Sequence, residues 1–390
     1  MITVDQALDR VLALVAPLPG EEIALRAAAG RVLAQPVCAA RAQPPFAASA
    51  MDGYAVQGDA VRPGARFTVI GESAAGRACA LAVGPGQAIR IFTGAPVPPG
   101  ADRVVIQEDV TRDGDTITLR ESLDTGLHVR PAGNDFAKGA QWFPRRPLTP
   151  SDLVLLAAMN CARPIVTRKP VIALIATGDE LVMPGEVAQD DQIIASNTFG
   201  LAAMAEGAGA IARILPIARD NARALTAAFD MARGADMIVT IGGASVGDYD
   251  LVGRVAGDLG MERSFYKIAM RPGKPLMAGR LRDTPILGLP GNPVSAMVCG
   301  HVFMLPALRA LLGLAKTAAP RLTAPLAEGL AANGAREHFM RANLIDGALH
   351  PAERQDSALT TVLAGANALI LRPTNDTSRK SGEIVTYLPL

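Results

Sequence analysis

The chain has 390 residues, 49% of them hydrophobic and 19% charged, with 38 Lys+Arg against 37 Asp+Glu. So large an apolar fraction excludes an intrinsically disordered chain, and the length exceeds what one hydrophobic core spans, so about two to four domains are expected. The net charge of +1 leaves no bulk field to draw in nucleic acid or an anionic membrane.

Along the chain, Thr3 is placed to cap a helix whose apolar residues Val4, Ala7, Leu8, Val11, Leu12 and Val15 recur at helical spacing. A second short amphipathic piece covers Ile23 to Leu33. From Pro44 onward, β-prone runs at Phe67–Ile70, Ala88–Ile91, Arg103–Gln107 and Thr116–Leu119 alternate with Gly, Pro and Asp turns, which predicts a small β-rich domain. Leu148 to Asn160 is helical, with Thr149 or Ser151 positioned to cap it. The apolar run Pro170–Ala176 then opens a different pattern. A helix from Asn197, a strand near Ile211–Leu215, a helix over Asn221–Arg233, a strand at Met237–Ile241 and a helix over Tyr249–Gly260 follow. Strands near Ser264–Ile268 and Pro285–Leu289 and a helix from Pro293 complete it. Alternating helices and fully apolar strands predict a doubly wound parallel sheet covered on both faces.

The most apolar long segment, Val294 to Leu314, is interrupted by Gly300, His301, Pro306 and Arg309 and reads as a buried helix rather than a membrane span. Pro320 to the end reads as short strands, including Ala368–Leu371 and Glu383–Leu388. The N-terminus lacks a basic region followed by an apolar core. The four cysteines (Cys38, Cys79, Cys161, Cys299) form no Cys-x-x-Cys, so reduced thiols and a cytoplasmic location are expected.

Ligands of a doubly wound sheet bind beyond the carboxyl ends of its strands. Three predicted strands end there in glycine-bearing turns: Ala176-Thr-Gly-Asp-Glu180, Ile241-Gly-Gly-Ala-Ser-Val-Gly-Asp-Tyr-Asp250 and Leu289-Pro-Gly-Asn-Pro-Val-Ser295. Thr177, Gly178, Gly242, Gly243, Ser245, Gly247, Gly291, Asn292 and Ser295 are their candidate ligand-contacting residues, since glycine admits close approach and successive N–H groups cradle an anion. One such turn by itself is as readily a tight βα connection. Three of them, bearing Asp179, Glu180, Asp248 and Asp250, point to a phosphate-bearing ligand with a hard cation. Lys267, Arg271 and Lys274, in a proline-stiffened turn after a predicted strand, add candidate cations. Asp52 and Thr93 sit beside glycine in the β-rich segment, as in any turn, and the four histidines show no metal-ligand spacing. No Walker A string, strand-following G-x-G-x-x-G or G-x-S-x-G occurs.

Taken together, the strings Pro44-Pro-Phe46, Ser49-Ala-Met-Asp-Gly-Tyr-Ala-Val56, Thr93-Gly-Ala-Pro-Val-Pro98, Gly100-Ala-Asp102, Gln107-Glu-Asp109, Arg130-Pro-Ala-Gly133, Ala176-Thr-Gly-Asp-Glu-Leu181, Gly242 to Asp250, Arg271-Pro-Gly-Lys-Pro275 and Gly288 to Ser295 resemble the molybdopterin molybdenumtransferase family (MoeA, with the gephyrin E domain as its eukaryotic relative). The resemblance implies an α/β multidomain fold. A central doubly wound domain, like that of molybdopterin adenylyltransferase, is joined to β-rich domains in an elongated homodimer. It implies a mixed domain I over 1–43 with 138–168, a β-rich domain II over 44–137, an α/β domain III over 169–317 and a β domain IV over 318–390. It also implies a cleft between domains II and III, the former from the partner subunit.

The implied reaction inserts molybdate into adenylylated molybdopterin with release of AMP and dependence on Mg²⁺, and a molybdopterin adenylyltransferase is a candidate partner. The family's functional residues fall on Asp52, Thr93, Glu180, Asp220, Asp250, Lys267, Arg271, Lys274, Pro290 and Pro293, with Glu180 and Asp250 as metal ligands. The chain departs from the family pattern at Ala47-Ala48, where Asp-Asn is usual, and at Ile194-Ala-Ser-Asn197, where Tyr-Asp-Ser-Asn is usual. Thr361-Val362 replaces an expected Ser-Ser pair. Two alternatives stand beside the transferase: a catalytically impaired paralogue acting as a molybdopterin-binding or scaffold protein, and a molybdopterin adenylyltransferase.

Overall fold

The three apolar runs at Val171–Ala176, Met237–Ile241 and Thr284–Leu289 become neighbouring parallel strands because each can bury both faces. Alternate residues serve opposite cores. Ile172, Leu174, Met237, Val239, Leu287 and Leu289 point to one side, and Ala173, Ile175, Ile238 and Ile286 to the other. Ile211–Ile214 extends the sheet in parallel at one edge. At the other edge Met277–Leu281 and Met261–Tyr266 are added antiparallel, giving six strands in all. The expected all-parallel sheet is therefore mixed. Met277–Leu281, which carries Gly279 and Arg280 in an otherwise apolar run, is the strand that sequence patterning misses.

The computed structural model describes residues 1–243 and 251–390. It divides into two units, one of Met1–Glu21, Gly30–Ala34 and Val166–Leu390, the other of Glu22–Ala29 and Gln35–Ile165. In the first unit, helix Val4–Ala13 is capped by Thr3, whose hydroxyl accepts the Gln6 N–H, and buries Val4, Ala7, Leu8, Val11 and Leu12 in the sheet's core. The apolar stretch from Pro293 to Leu311 is one continuous helical rod, mostly buried in that core, as its interrupted pattern predicts. The C-terminal strands, Leu322–Pro325, Glu337–Ile345, Ala368–Arg372 and Ile384–Pro389, form a second sheet in this unit. The two-residue strand Met270–Arg271 joins its edge.

The second unit is built on a six-stranded sheet of Gly53–Val56, Arg66–Ser73, Gln87–Ile91, Arg103–Ile106, Val110–Asp113 and Thr116–Leu119. Its helix Pro150–Ala158 starts at Thr149. There Asp152, 3% exposed, accepts from the Thr149 N–H and hydroxyl (2.7 Å each), from Trp142 Nε1 (3.0 Å) and from Arg146. The amphipathic helix expected over Ile23 to Leu33 is absent. Only the single turn Leu25–Ala27 forms, because four alanines and Gly30 offer too little apolar surface to hold more.

Candidate functional site

Three strand ends converge at the carboxyl edge of the parallel strands. The Thr177 N–H donates to the Ile241 carbonyl (3.0 Å), the Gly178 N–H to the Ala218 carbonyl (3.1 Å) and the Gly242 N–H to the Leu289 carbonyl (3.0 Å), so each turn is tied to its neighbour. The Asn197 amide donates to the Gly291 carbonyl (2.6 Å) and fixes the third turn to helix Asn197–Gly207. Together they enclose a cavity of about 730 Å³. Of the sequence candidates it brings together Thr177, Gly178, Glu180, Asp220, Gly242, Gly243, Lys274, Pro290, Gly291, Asn292 and Pro293 on one lining. Ser245, Gly247 and Asp250 lie outside the described residues.

Three further candidates of the same unit stand off this lining. Ser295 is buried in the first turn of its helix. Lys267 and Arg271 do not line the cavity: Lys267 is half-buried with its Nζ 5.1 Å from the Tyr266 ring centroid, and exposed Arg271 belongs to the strand paired with Glu337–His338. The reason is topological, since the chain between Tyr266 and Met277 leaves the central sheet to join the C-terminal one before returning. Lys274 is the cation of that loop which lines the cavity.

The hydrogen bonds also correct the expected source of anion affinity. The N–H groups of Thr177, Gly178, Gly242 and Val294 already donate to carbonyls, the last to Ser357 (3.1 Å), so these four are not donors for a ligand. Glycine is needed here for close packing instead. A Cβ at Gly242 (φ +91°) would lie 2.7 Å from the Thr177 carbonyl oxygen, and one at Gly178 (φ +150°) would collide with the Glu180 carboxylate. The polar side chains that line the cavity include Glu180, Asp220, Lys274, Asn292 and Thr198, whose buried hydroxyl (residue 2% exposed) has no hydrogen-bond partner among the described residues. Ile193 and Ile194 supply an exposed apolar stretch of the wall.

Burial, then the charges of Asp179 and Glu180, push the Asp220 carboxyl above the usual carboxylate range. Carboxylates crowded in this way favour a cation between them. Among the described residues no three His, Cys, Asp or Glu side chains form a complete metal cage. Mg²⁺ is commonly held by one or two carboxylates, with substrate oxygens and water completing its shell, and Glu180 with Asp220 fits that demand. Of the alanines that replace the family's polar residues, Ala48 and Ala195 are buried, and Ala195 lines the cavity.

The second unit holds Asp52 and Thr93. Asp52 Oδ1 accepts both the Thr93 N–H (2.7 Å) and its hydroxyl (2.8 Å), which holds the carboxyl below its ordinary range with help from Arg90. Arg90 donates to the Gly53 carbonyl (3.0 Å) and Gln107 Oε1 (2.7 Å) and lies over the rings of Tyr54 and Phe92, 5.0 and 4.8 Å from their centroids.

A doubly wound domain with carboxylates and a lysine on one cavity at its strand ends, in a chain that also carries two β-rich sheets, defines a multidomain α/β protein. Three family models match it in order: "MoeA N-terminal region (domain I and II)" over residues 2–160, "Probable molybdopterin binding domain" over 173–310 and "MoeA C-terminal region (domain IV)" over 323–390. The chain is 36% identical over 387 residues to the molybdopterin molybdenumtransferase of a Nostoc species, covering 95% of this chain and 88% of that one. It is 39% identical over 337 residues to molybdopterin molybdenumtransferase 2 of Mycobacterium tuberculosis, covering 83% and 82%. A solved molybdopterin biosynthesis MoeA protein from Pyrococcus horikosii superposes with a TM-score of 0.89 at 29% identity, over 100% of this chain and 99% of that one. The chain belongs to the molybdopterin molybdenumtransferase (MoeA) family, and its role lies in molybdenum cofactor biosynthesis.

Proposed function

We propose that this protein inserts molybdate into adenylylated molybdopterin with release of AMP, in a Mg²⁺-dependent reaction. The observation that carries the reading is the convergence of Glu180, Asp220 and Lys274 on one cavity at the carboxyl ends of parallel strands. Molybdate is a dianion and the adenylylated pterin carries a pyrophosphate, so the site must hold several negative charges together. Lys274 neutralises part of that charge. The partnerless Thr198 hydroxyl and the Asn292 amide, whose Nδ2 donates to Ser357 Oγ (3.0 Å), orient oxyanions beside it. Ile193 and Ile194 offer an apolar surface suited to a planar pterin.

Glu180 and Asp220 would hold the Mg²⁺, which when bound polarises phosphate oxygens and offsets their charge. A molybdate oxygen attacks the AMP phosphorus and the phosphoanhydride bond breaks, leaving molybdopterin with its own phosphate. As the dithiolene sulfurs take molybdenum, the Mo–O bond to that phosphorus breaks and AMP departs with the oxygen. The side chains contribute orientation and charge neutralisation, and no acid–base dyad is required. The division into domains at 1–43 with 138–168, 44–137, 169–317 and 318–390, and assembly as a homodimer, are part of the same reading.

The test is Lys274→Glu. The reading expects loss of binding of adenylylated molybdopterin and failure to restore molybdoenzyme activity in a strain lacking the transferase. Wild-type affinity in that variant contradicts the anion site. Failure of the wild-type chain itself to complement would favour the scaffold alternative.

A further inference from the structure

We infer that Arg219 is a positioning residue that holds Glu180 in the cavity. The inference rests on the reading of Glu180 as a ligand-handling carboxylate. In the sequence Arg219 only precedes Asp220 in Arg219-Asp-Asn221, and a lone arginine in a loop is ordinarily a solvated surface charge.

The geometry is specific. The Arg219 guanidinium donates to the carbonyls of Asp179 (2.7 Å) and Leu181 (3.1 Å), the two residues that flank Glu180. Its own neighbours grip the same turn. Ala218 forms a parallel bridge with Thr177, its N–H donating to the Ala176 carbonyl (2.9 Å) and its carbonyl accepting from Gly178. The Asp220 N–H donates to Asp179 Oδ1 (3.0 Å). The Glu180 carbonyl accepts from the Ile193 N–H (2.8 Å). All three carbonyls from Asp179 to Leu181 are therefore engaged, two of them by one charged side chain.

On the other side the Glu180 carboxylate folds over Gly178, where no Cβ stands in its way. Its backbone is clamped and its carboxylate is left for a ligand. Both bonds come from one guanidinium nitrogen, Nη1, whose two hydrogens go one to each carbonyl, and the planar, permanently charged group fixes their directions where a freely rotating lysine ammonium does not. The clamp also ties Glu180 to Asp220, the residue following Arg219, so the two cavity carboxylates are set by a single local structure.

The experiment compares Arg219→Ala, Arg219→Lys and Glu180→Gln in the full-length protein. It measures kcat and KM for molybdate insertion, melting temperature, and amide hydrogen exchange of peptides spanning residues 177–195. Arg219→Ala is expected to lose about 100-fold in kcat, the scale on which misplacing a reacting group is felt, with little change in KM for molybdate. Faster exchange is expected within 177–195, with the melting temperature nearly unchanged. Arg219→Lys recovers part of both losses. Wild-type kcat in Arg219→Ala beside an inactive Glu180→Gln overturns the clamp and leaves the functional reading standing. If Glu180→Gln is itself active, the functional reading falls. Exchange then decides the clamp alone: acceleration in Arg219→Ala upholds it, and wild-type exchange overturns it.

Discussion

Asp220 in the central α/β unit and Asp52 in the β-rich unit are both short carboxylates beside turns, and the structure treats them oppositely. Asp52 has one oxygen saturated by the Thr93 N–H and hydroxyl and is held below its ordinary range. Asp220 is an exposed residue whose carboxyl is raised by desolvation and then by the nearby charges of Asp179 and Glu180. The first arrangement is complete as folded. The second stores repulsion that a cation relieves, which is the mark of a binding site rather than of a turn lock. Asp152, buried and accepting from Thr149, Trp142 and Arg146, is the extreme of the complete kind.

The comparison can be broken at several points. The largest expected effect is at Glu180: Glu180→Gln should lower kcat by about a thousandfold while leaving the melting temperature equal or slightly higher, since a repulsion is removed. An active variant would show that the crowded carboxylates are not the working ones. Asp152→Ala should act the other way, costing about 3 kcal/mol of stability because Arg146 and Trp142 lose their partner, without a specific catalytic defect. Denaturant midpoints and kcat measured side by side check it. The Asp152 carboxyl is held far below its unfolded value by these donors, so its contribution is present above about pH 4 and is lost as pH falls below that.

Gly178→Ala comes next. Its methyl group would displace the Glu180 carboxylate and strain the backbone at φ +150°, giving about a tenfold to hundredfold loss of kcat and about 1–3 kcal/mol of stability. Thr93→Val sharpens the contrast at Asp52. The backbone N–H bond survives, so activity should fall by less than about tenfold and the Asp52 carboxyl should titrate higher by NMR.

The acid limb of stability concerns His338, 6% exposed, whose imidazole is pushed down to about 4 by burial and by Arg271, Arg372, Arg341 and Arg336. In the unfolded chain it titrates near 6.5, so between about pH 6.5 and about pH 4 the unfolded state binds the extra proton. Stability should fall across that window by about 1.4 kcal/mol per pH unit as pH drops. His338→Leu should flatten the slope, and half-buried His301, also pushed down to about 4 by desolvation, accounts for what remains.

Much of this architecture is legible in the sequence where one local cause decides the outcome. The apolar runs that end at Ala176, Ile241 and Leu289 can only be doubly covered strands, so the turns that follow them must share an edge. Thr3 and Thr149 are legible as caps for the same reason. What escapes is decided by distant partners. Lys267 and Arg271 read as cations of the same site as Lys274. Pairing of Met270–Arg271 with Glu337–His338, some 67 residues away, draws that part of the loop into another sheet. The Val294 N–H reads as a helix-terminal donor until Ser357 claims it. Arg219 and Thr198 gain meaning only from where Glu180 and the cavity wall stand.

The most direct measurement is a crystal structure of the protein soaked with adenylylated molybdopterin and Mg²⁺. The account predicts the pyrophosphate seated in the 730 Å³ cavity against Lys274, with the cation between Glu180 and Asp220. A ligand bound on some other surface, with only water against those three side chains, would contradict it.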